Sequence, residues 1–255
     1  MPARATHRLG LAAVAAALLC GACGKGHQQT VPTCSALDVI LTTEQAANAA
    51  TIAAVGKRLG VPNHGVTVAL ATAFQESGMR NLDYGDRDSL GLFQQRPSQG
   101  WGTPAEIIIP EVSAAKFFRA LVKVKGWQSL EVTVAAQRVQ RSAAPDAYAQ
   151  WEEPGRTLAR ALTGEVEAGL ACEFDPPATP PVVREFALRQ EAVRELGPGG
   201  LDRAQQPKRR WATATWLVAH ARAYGLSRIS VGGRTWTAGS GKWSPDTGAG
   251  QLRYS

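Results

Sequence analysis

The sequence is poor in the residues that most often announce a chemistry. Its four cysteines form no C-x-x-C pair, and no two of its four histidines stand at a metal-ligand spacing. That excludes a zinc ribbon, a thioredoxin-like site and a motif-borne zinc centre, and no metal and no cofactor are expected. No G-x-S-x-G occurs, so a serine hydrolase lacks its nucleophile elbow. No apolar run reaches the roughly 18–20 residues of a mature membrane span. What is present is an ordinary globular composition, 44% hydrophobic over 255 residues, with room for one large domain or two small ones. Lysine and arginine exceed the acids by 7, an excess that suits an anionic partner such as nucleic acid, a membrane surface or an acidic wall.

The N-terminus reads as a targeting signal. Arg4 and Arg8 precede an apolar stretch from Leu9 to Cys20, the basic and hydrophobic segments of a secretory leader. Gly21-Ala22-Cys23 resembles the end of a bacterial lipobox, whose cysteine takes a lipid after cleavage, although Cys20 holds the place of the lipobox leucine. Expected residues 1–23 are thus leader and lipidation site, followed by a linker over 24–36. The mature protein is expected outside the cell, anchored to the membrane through Cys23 or secreted. Cleavage removes Cys20 and lipidation uses Cys23, which leaves Cys34 and Cys172. In an oxidising compartment these two are expected to form a disulfide. Closing so long a loop stabilises by roughly 3–5 kcal/mol in the chain-entropy model.

Residues 173–182 read EFDPPATPPV, a proline-rich extended spacer. It divides a region at 37–172 from one at 183–255. Charge divides there too: residues 37–164 carry a net +1, residues 183–255 a net +7. The first region reads as helical. Thr42-x-x-Gln45 is a capping-box pattern before an Ala-rich run. Val66, Leu70, Ala73 and Phe74 fall at helical spacing on a helix that stops at Gly78. A polar loop spans 81–89, and further helical patterns lie near 112–122, 130–141 and 145–161. The second region carries a helix over 211–224, then two short strands flanking Gly232-Gly233, a β-hairpin signal. The fold class is therefore mainly α, α+β overall, with a helical domain followed by a small basic α+β domain.

Glu76 ends the helix that stops at Gly78, close to Phe74 and Met79. An acid held against apolar groups keeps its proton to higher pH, and a protonated carboxyl can donate to a leaving-group oxygen. The loop beyond brings Asp83, Asp86 and Asp88. Their spacing lacks the terminal Glu of an EF-hand. A glycosidase that inverts needs a second carboxylate across a water-sized gap.

Gln75-Glu76-Ser77-Gly78 followed by Gly91-Leu92-Phe93-Gln94 resembles the lysozyme-like family of soluble lytic transglycosylases and goose-type lysozymes. Closest are secreted actinobacterial lysozyme-like proteins, whose Gln-Glu-Ser, Gly-Asp-Arg-Asp-Ser-Leu-Gly-Leu-Phe-Gln-Gln-Arg-Pro and Gly-Trp-Gly runs stand here at 75–77, 85–97 and 100–102. The resemblance covers roughly 37–164. It implies a lysozyme-like helical fold that cleaves peptidoglycan glycan strands, with Glu76 as general acid/base and Asp86 as the second carboxylate. Gln94 and Gln95 would line the sugar cleft, Ser77 would support the Glu or the substrate, and Tyr84 and Trp101 would stack on sugar rings. Two places depart from the pattern. Arg96 stands where goose-type enzymes carry an Asp, and Gln137 stands where the family's Ala-Tyr-Asn stretch has its Tyr. A transglycosylase needs only one carboxylate, because the substrate's own hydroxyl attacks, so Glu76 suits either outcome. An inert wall-binding relative is the alternative.

The second region, through Trp211, Trp216, His220 and Gly233-Arg234-Thr235-Trp236, resembles a small C-terminal domain distantly like the zinc peptidases that trim peptidoglycan. Its end, residues 250–255, has no histidine, so it reads as a basic, non-catalytic module facing anionic cell-wall polymers. Lys208-Arg209-Arg210 before a helix is a solvated face, and no nucleic acid partner is expected in an exported protein.

Overall fold

The computed structural model describes residues 31–175, 183–202, 206–248 and 250–255. The leader, Cys23 and residues 176–182 of the proline-rich spacer lie outside them. The fold is mainly α with two small antiparallel sheets, an α+β architecture.

Strand β1 (Thr33–Ala36) lies between β2 (Val39–Thr42) and β3 (Ala171–Glu173). Cys34 stands opposite Cys172 in the β1–β3 register, and the two form the expected disulfide. Part of the segment read as a linker is therefore a strand: Cys34 and Ala36 are fully buried and anchor it to the core. Thr42 ends β2 and caps α1 (Thr43–Arg58). The Gln45 amide donates to Thr42 Oγ1 at 3.2 Å, and the Thr42 amide donates to Gln45 Oε1 at 2.9 Å, the reciprocal pattern of a capping box. Five buried alanines, Ala46, Ala49, Ala50, Ala53 and Ala54, keep α1 slim. It runs through the middle of the molecule and packs against helices of both regions.

Helix α2 (Asn63–Ser77) buries Val66, Leu70, Ala73 and Phe74 at the expected spacing. It ends in a Schellman turn at Gly78, φ 61°: Gly78 N–H donates to Phe74 O at 2.9 Å and Met79 N–H to Ala73 O at 3.0 Å. Two side chains of α1 hold this end. Gln45 Nε2 donates to Gly78 O and Asn48 Nδ2 to Met79 O, both at 2.9 Å. The short α3 (Pro104–Ile107) packs on α4 (Pro110–Leu121), and α4, α5 (Val132–Gln140) and α6 (Glu152–Leu162) pack against α2. Gly155 lets α6 lie directly on α2, because a β-carbon there would stand 3.1 Å from both Ala71 N and Thr67 O.

The C-terminal region contributes α7 (Glu185–Leu196), α8 (Pro207–Tyr224) and strands β4 (Arg228–Val231), β5 (Arg234–Thr237), β6 (Lys242–Pro245) and β7 (Arg253–Tyr254), in sheet order β6-β5-β4-β7. Gly232 and Gly233, at φ 56° and 75°, make the expected two-residue turn between β4 and β5, a conformation that needs positive φ at both positions. This region shares one continuous apolar core with the first. α8 packs on α1, Trp236 Nε1 donates to Cys172 O at 3.0 Å, and Trp243 Nε1 donates to Leu170 O at 2.8 Å. The disulfide strand is thus also the shelf on which the second sheet hangs.

Candidate functional site

The candidate site is built at the C-terminal end of α2. Pinning by Gln45 and Asn48 from α1 fixes the last turn, and Glu76 emerges from it half-buried. Its carboxylate does not rest against apolar groups alone. The hydroxyl of Tyr148, a side chain in the core, donates to Glu76 Oε1 at 2.6 Å. Burial first, and then the bond and charge of Glu76, push the Tyr148 phenol well above its ordinary range. It therefore stays a donor throughout the physiological range. The preceding residue is held as well: Gln75 Oε1 accepts from Trp151 Nε1 at 2.9 Å and from Gln150 Nε2 at 3.2 Å. Trp151 in turn stacks on Phe74 with ring centroids 5.0 Å apart. The segment 148–151 thus forms one wall beside the acid.

The 91–95 segment is tied to the same end of α2. Ser77 is buried and donates to Leu92 O at 2.9 Å and to Ala73 O at 3.1 Å. Its role is to tie this segment to α2, and its burial keeps it from a ligand. Phe93 stacks on Phe117, centroids 4.6 Å apart, and Gln140 Nε2 donates to Phe93 O at 2.8 Å. Gln95 is 1% exposed, with Nε2 donating to Ser113 O at 3.1 Å. It is a core pin, out of a glycan's reach, because Leu90 and Gln95 close a tight antiparallel bridge that turns its side chain inward. Gln94 is half-buried at φ 46° and donates to Tyr84 O at 3.3 Å and Gly91 O at 3.2 Å, so it links the 91–95 segment to the Asp-rich loop. Gly85 makes that link possible: a β-carbon there would fall 1.9 Å from Gln94 Oε1.

On the loop, Asp86 has a side chain 90% exposed, with Arg87 Nε 3.9 Å away. Asp88 is the anchored acid. It accepts from Arg96 Nε at 2.8 Å, from Ser98 N at 2.7 Å and from Ser98 Oγ at 3.0 Å. Those bonds, the arginine's first, hold it far below the usual carboxylate range. Arg96 is therefore the clasp of the loop. Tyr84 is 64% exposed, its ring free to meet a ligand. Trp101 is half-buried and packs against the core. It lines a cleft with the ends of α4 and α5, and Glu76 is not among that cleft's walls. Of the expected site residues, Ser77, next to Glu76 in the last turn of α2, holds the 91–95 segment, and Gln94 links that segment to Tyr84. Trp101 lines the cleft at the ends of α4 and α5 instead.

A second cluster of ionisable groups joins the two regions. Glu195, on α7, is 1% exposed and accepts from Thr51 Oγ1 at 2.8 Å and Trp216 Nε1 at 2.6 Å. Burial and a hydrogen bond to Glu191 push its carboxyl well above the ordinary range. Burial lowers His220, whose Nδ1 lies 2.9 Å from Trp216 O. Glu111, Glu191 and Glu195 place carboxylate oxygens within 4.8 Å of one another, near enough for a cation. Arg194 already supplies one, pairing with Glu191 and, at 3.2 Å, with Glu111.

Tyr148 and the Glu195 cluster are the residues that sequence reasoning missed. Neither sits in a local pattern, since each finds its partner far along the chain. No protein-family model matches the chain, and no curated protein matches it.

Proposed function

We propose that this protein cleaves the glycan strands of peptidoglycan at the β-1,4 bond between N-acetylmuramic acid and N-acetylglucosamine, with Glu76 as general acid/base. The observation that carries the reading is a single half-buried carboxyl at a rigid helix end, oriented by the Tyr148 hydroxyl and flanked by a backbone segment tied to the same helix through Ser77. That is the positioning a proton donor needs at a scissile oxygen. The order of motifs that resembles lytic transglycosylases and goose-type lysozymes supports the same substrate.

In the proposed reaction Glu76 gives its proton to the glycosidic oxygen as the bond to C1 breaks and positive charge develops on the sugar ring. The resulting carboxylate then takes a proton from the hydroxyl that attacks C1. The exposure of Asp86 favours a hydroxyl of the same sugar as that nucleophile. An inverting hydrolase needs its base carboxylate held roughly 6.5–9.5 Å from the acid, and Asp86 projects into solvent. The expected product is an anhydro-sugar, from a one-carboxylate transglycosylase. The leader pattern supports a site of action outside the cell membrane, the chain lipid-anchored through Cys23 or secreted, with the basic 183–255 region near anionic wall polymers.

The rival reading is a wall-binding protein without activity. Arg96 favours it, since the place of an acid is taken by a cation locked to Asp88. Mass spectrometry of digests of purified peptidoglycan separates the readings. Anhydro-muramyl products support the proposal as written, reducing ends support a hydrolase, and retention on the wall without soluble products supports the binder.

A further inference from the structure

A cleft of about 820 Å³ opens between the C-terminal ends of α4 and α5 and the turn that carries Trp101. Five cations line it: Lys116, Arg119, Lys123, Arg138 and Arg141. Lys116 is satisfied, with Nζ 2.7 Å from Trp101 O and 3.2 Å from Glu106 Oε2. The other four are exposed and, among the described residues, form no ion pair, Arg138 Nη1 making only a long 3.4 Å bond to Lys125 O.

Cations at helix C-termini commonly do no more than offset the helix dipole. Here the magnitudes decide against that. Each helix end carries about −0.5 charge, so two ends offset about one of the four unpaired cations and leave about +3. The surrounding segment, residues 37–164, is nearly neutral at +1, so the cluster is a local concentration of charge and not a reflection of the whole. A concave, low-dielectric wall focuses such a field toward an incoming anion.

We propose that this cleft binds a phosphate-bearing chain, with Arg119, Arg138 and Arg141 gripping phosphate oxygens and the Trp101 ring forming the apolar wall. The proposal does not rest on glycan cleavage and gives Glu76 no role. The chemistry of the donors favours phosphate. One guanidinium fork consumes both oxygens of a planar carboxylate, whereas a phosphate directs oxygens to several sides and can be shared by arginines and a lysine at once. The volume is that of a ligand pocket and well beyond a lone phosphate ion, so the occupant is a chain with several phosphates or phosphate esters.

The test is calorimetric titration of the full chain with linear inorganic polyphosphate at low salt. Arg119→Gln with Arg138→Gln is expected to weaken binding by about tenfold or more, the scale of losing charge-assisted hydrogen bonds. Arg209→Gln with Arg222→Gln removes the same charge from exposed positions on α8 and is expected to change affinity by less than about twofold. Should the first pair lower the melting temperature, Arg141→Asn, at an αL position (φ 54°) that Asn tolerates, is expected to weaken binding in the same direction. Equal losses in both double variants would reduce the effect to diffuse attraction and overturn the proposal. So would absence of polyphosphate binding, poly-glutamate binding as tight as polyphosphate, or binding confined to phosphatidylglycerol vesicles.

Discussion

Tyr148 donates a 2.6 Å hydrogen bond to Glu76 across 72 residues of sequence. The phenol is buried and the carboxylate half-buried, so the bond fixes where the acid points. Replacing Tyr148 by Phe keeps the ring in the core and removes only the donor. A hydrogen bond to a charged group is worth about 1.5–3 kcal/mol. The expected result is a fall in kcat of about ten- to a hundredfold with KM little changed, read from initial rates on solubilised glycan strands. An unchanged kcat would mean the tyrosine serves only the core.

The loop beyond α2 gives a second prediction. Gly85→Ala would place a methyl 1.9 Å from Gln94 Oε1 and 2.7 Å from Ser89 O. Gln94 must then release its bonds to Tyr84 and Gly91. Ser89 is buried and its carbonyl must shift as well, so activity should fall and the thermal midpoint should drop by about 2–4 °C, the scale of about 1 kcal/mol. Activity measured beside a melting curve checks both. Equal activity would mean that the Gln94 link has no part in the chemistry.

The disulfide predicts a loss of stability without a loss of site geometry. Cys34 and Cys172 join β1 to β3. Replacing both by Ser should lower stability by about 3–5 kcal/mol, on the order of 10 °C in Tm for a chain of this size. Calorimetry of the variant, and of the wild type under reductant, should agree.

The Glu195 cluster sets a pH dependence. Its folded carboxyl binds a proton that the unfolded chain gives up near the ordinary value of 4.5. Stability from this group is complete below that value and is lost as pH rises through the raised folded one. His220, lowered by burial, has the opposite sign: its contribution is present above 6.5 and lost as pH falls through its folded value. Denaturant unfolding at a series of pH values should therefore show wild type losing stability with rising pH relative to Glu195→Gln, which cannot ionise. Glu195→Leu leaves the Thr51 hydroxyl and the Trp216 indole N–H buried without an acceptor and should cost about 2–5 kcal/mol. Parallel pH profiles for wild type and the Gln variant would contradict the account.

What could be read from the chain in advance was local. The Thr42–Gln45 cap, the stop at Gly78 and the Gly232-Gly233 turn each lie within a few residues, where backbone chemistry decides the conformation. The cysteine pair followed from counting. Strand β3 was invisible, since three residues offer no periodicity to find. Tyr148 sits in a polar turn and meets Glu76 only through the packing of α6 and the turn before it on α2. Glu195 gains its partners only when α8 and α1 close over α7, bringing Trp216 and Thr51 to it from 21 and 144 residues away. The cationic cleft was hidden by the near-neutral charge of its own segment. Gln95 and Ser77, adjacent to the expected acid and cleft in sequence, fold into the core because the 90–95 turn and the last turn of α2 face inward there.

The most direct measurement is the release of soluble sugar fragments from purified peptidoglycan by wild type and by Glu76→Gln, compared at equal folded concentration. Gln keeps the shape and can still accept the Tyr148 hydrogen bond, but it has no proton to give. The account predicts fragments from the wild type and a drop of about a hundredfold or more in the variant. Equal release by both proteins, or none by the wild type, would contradict it.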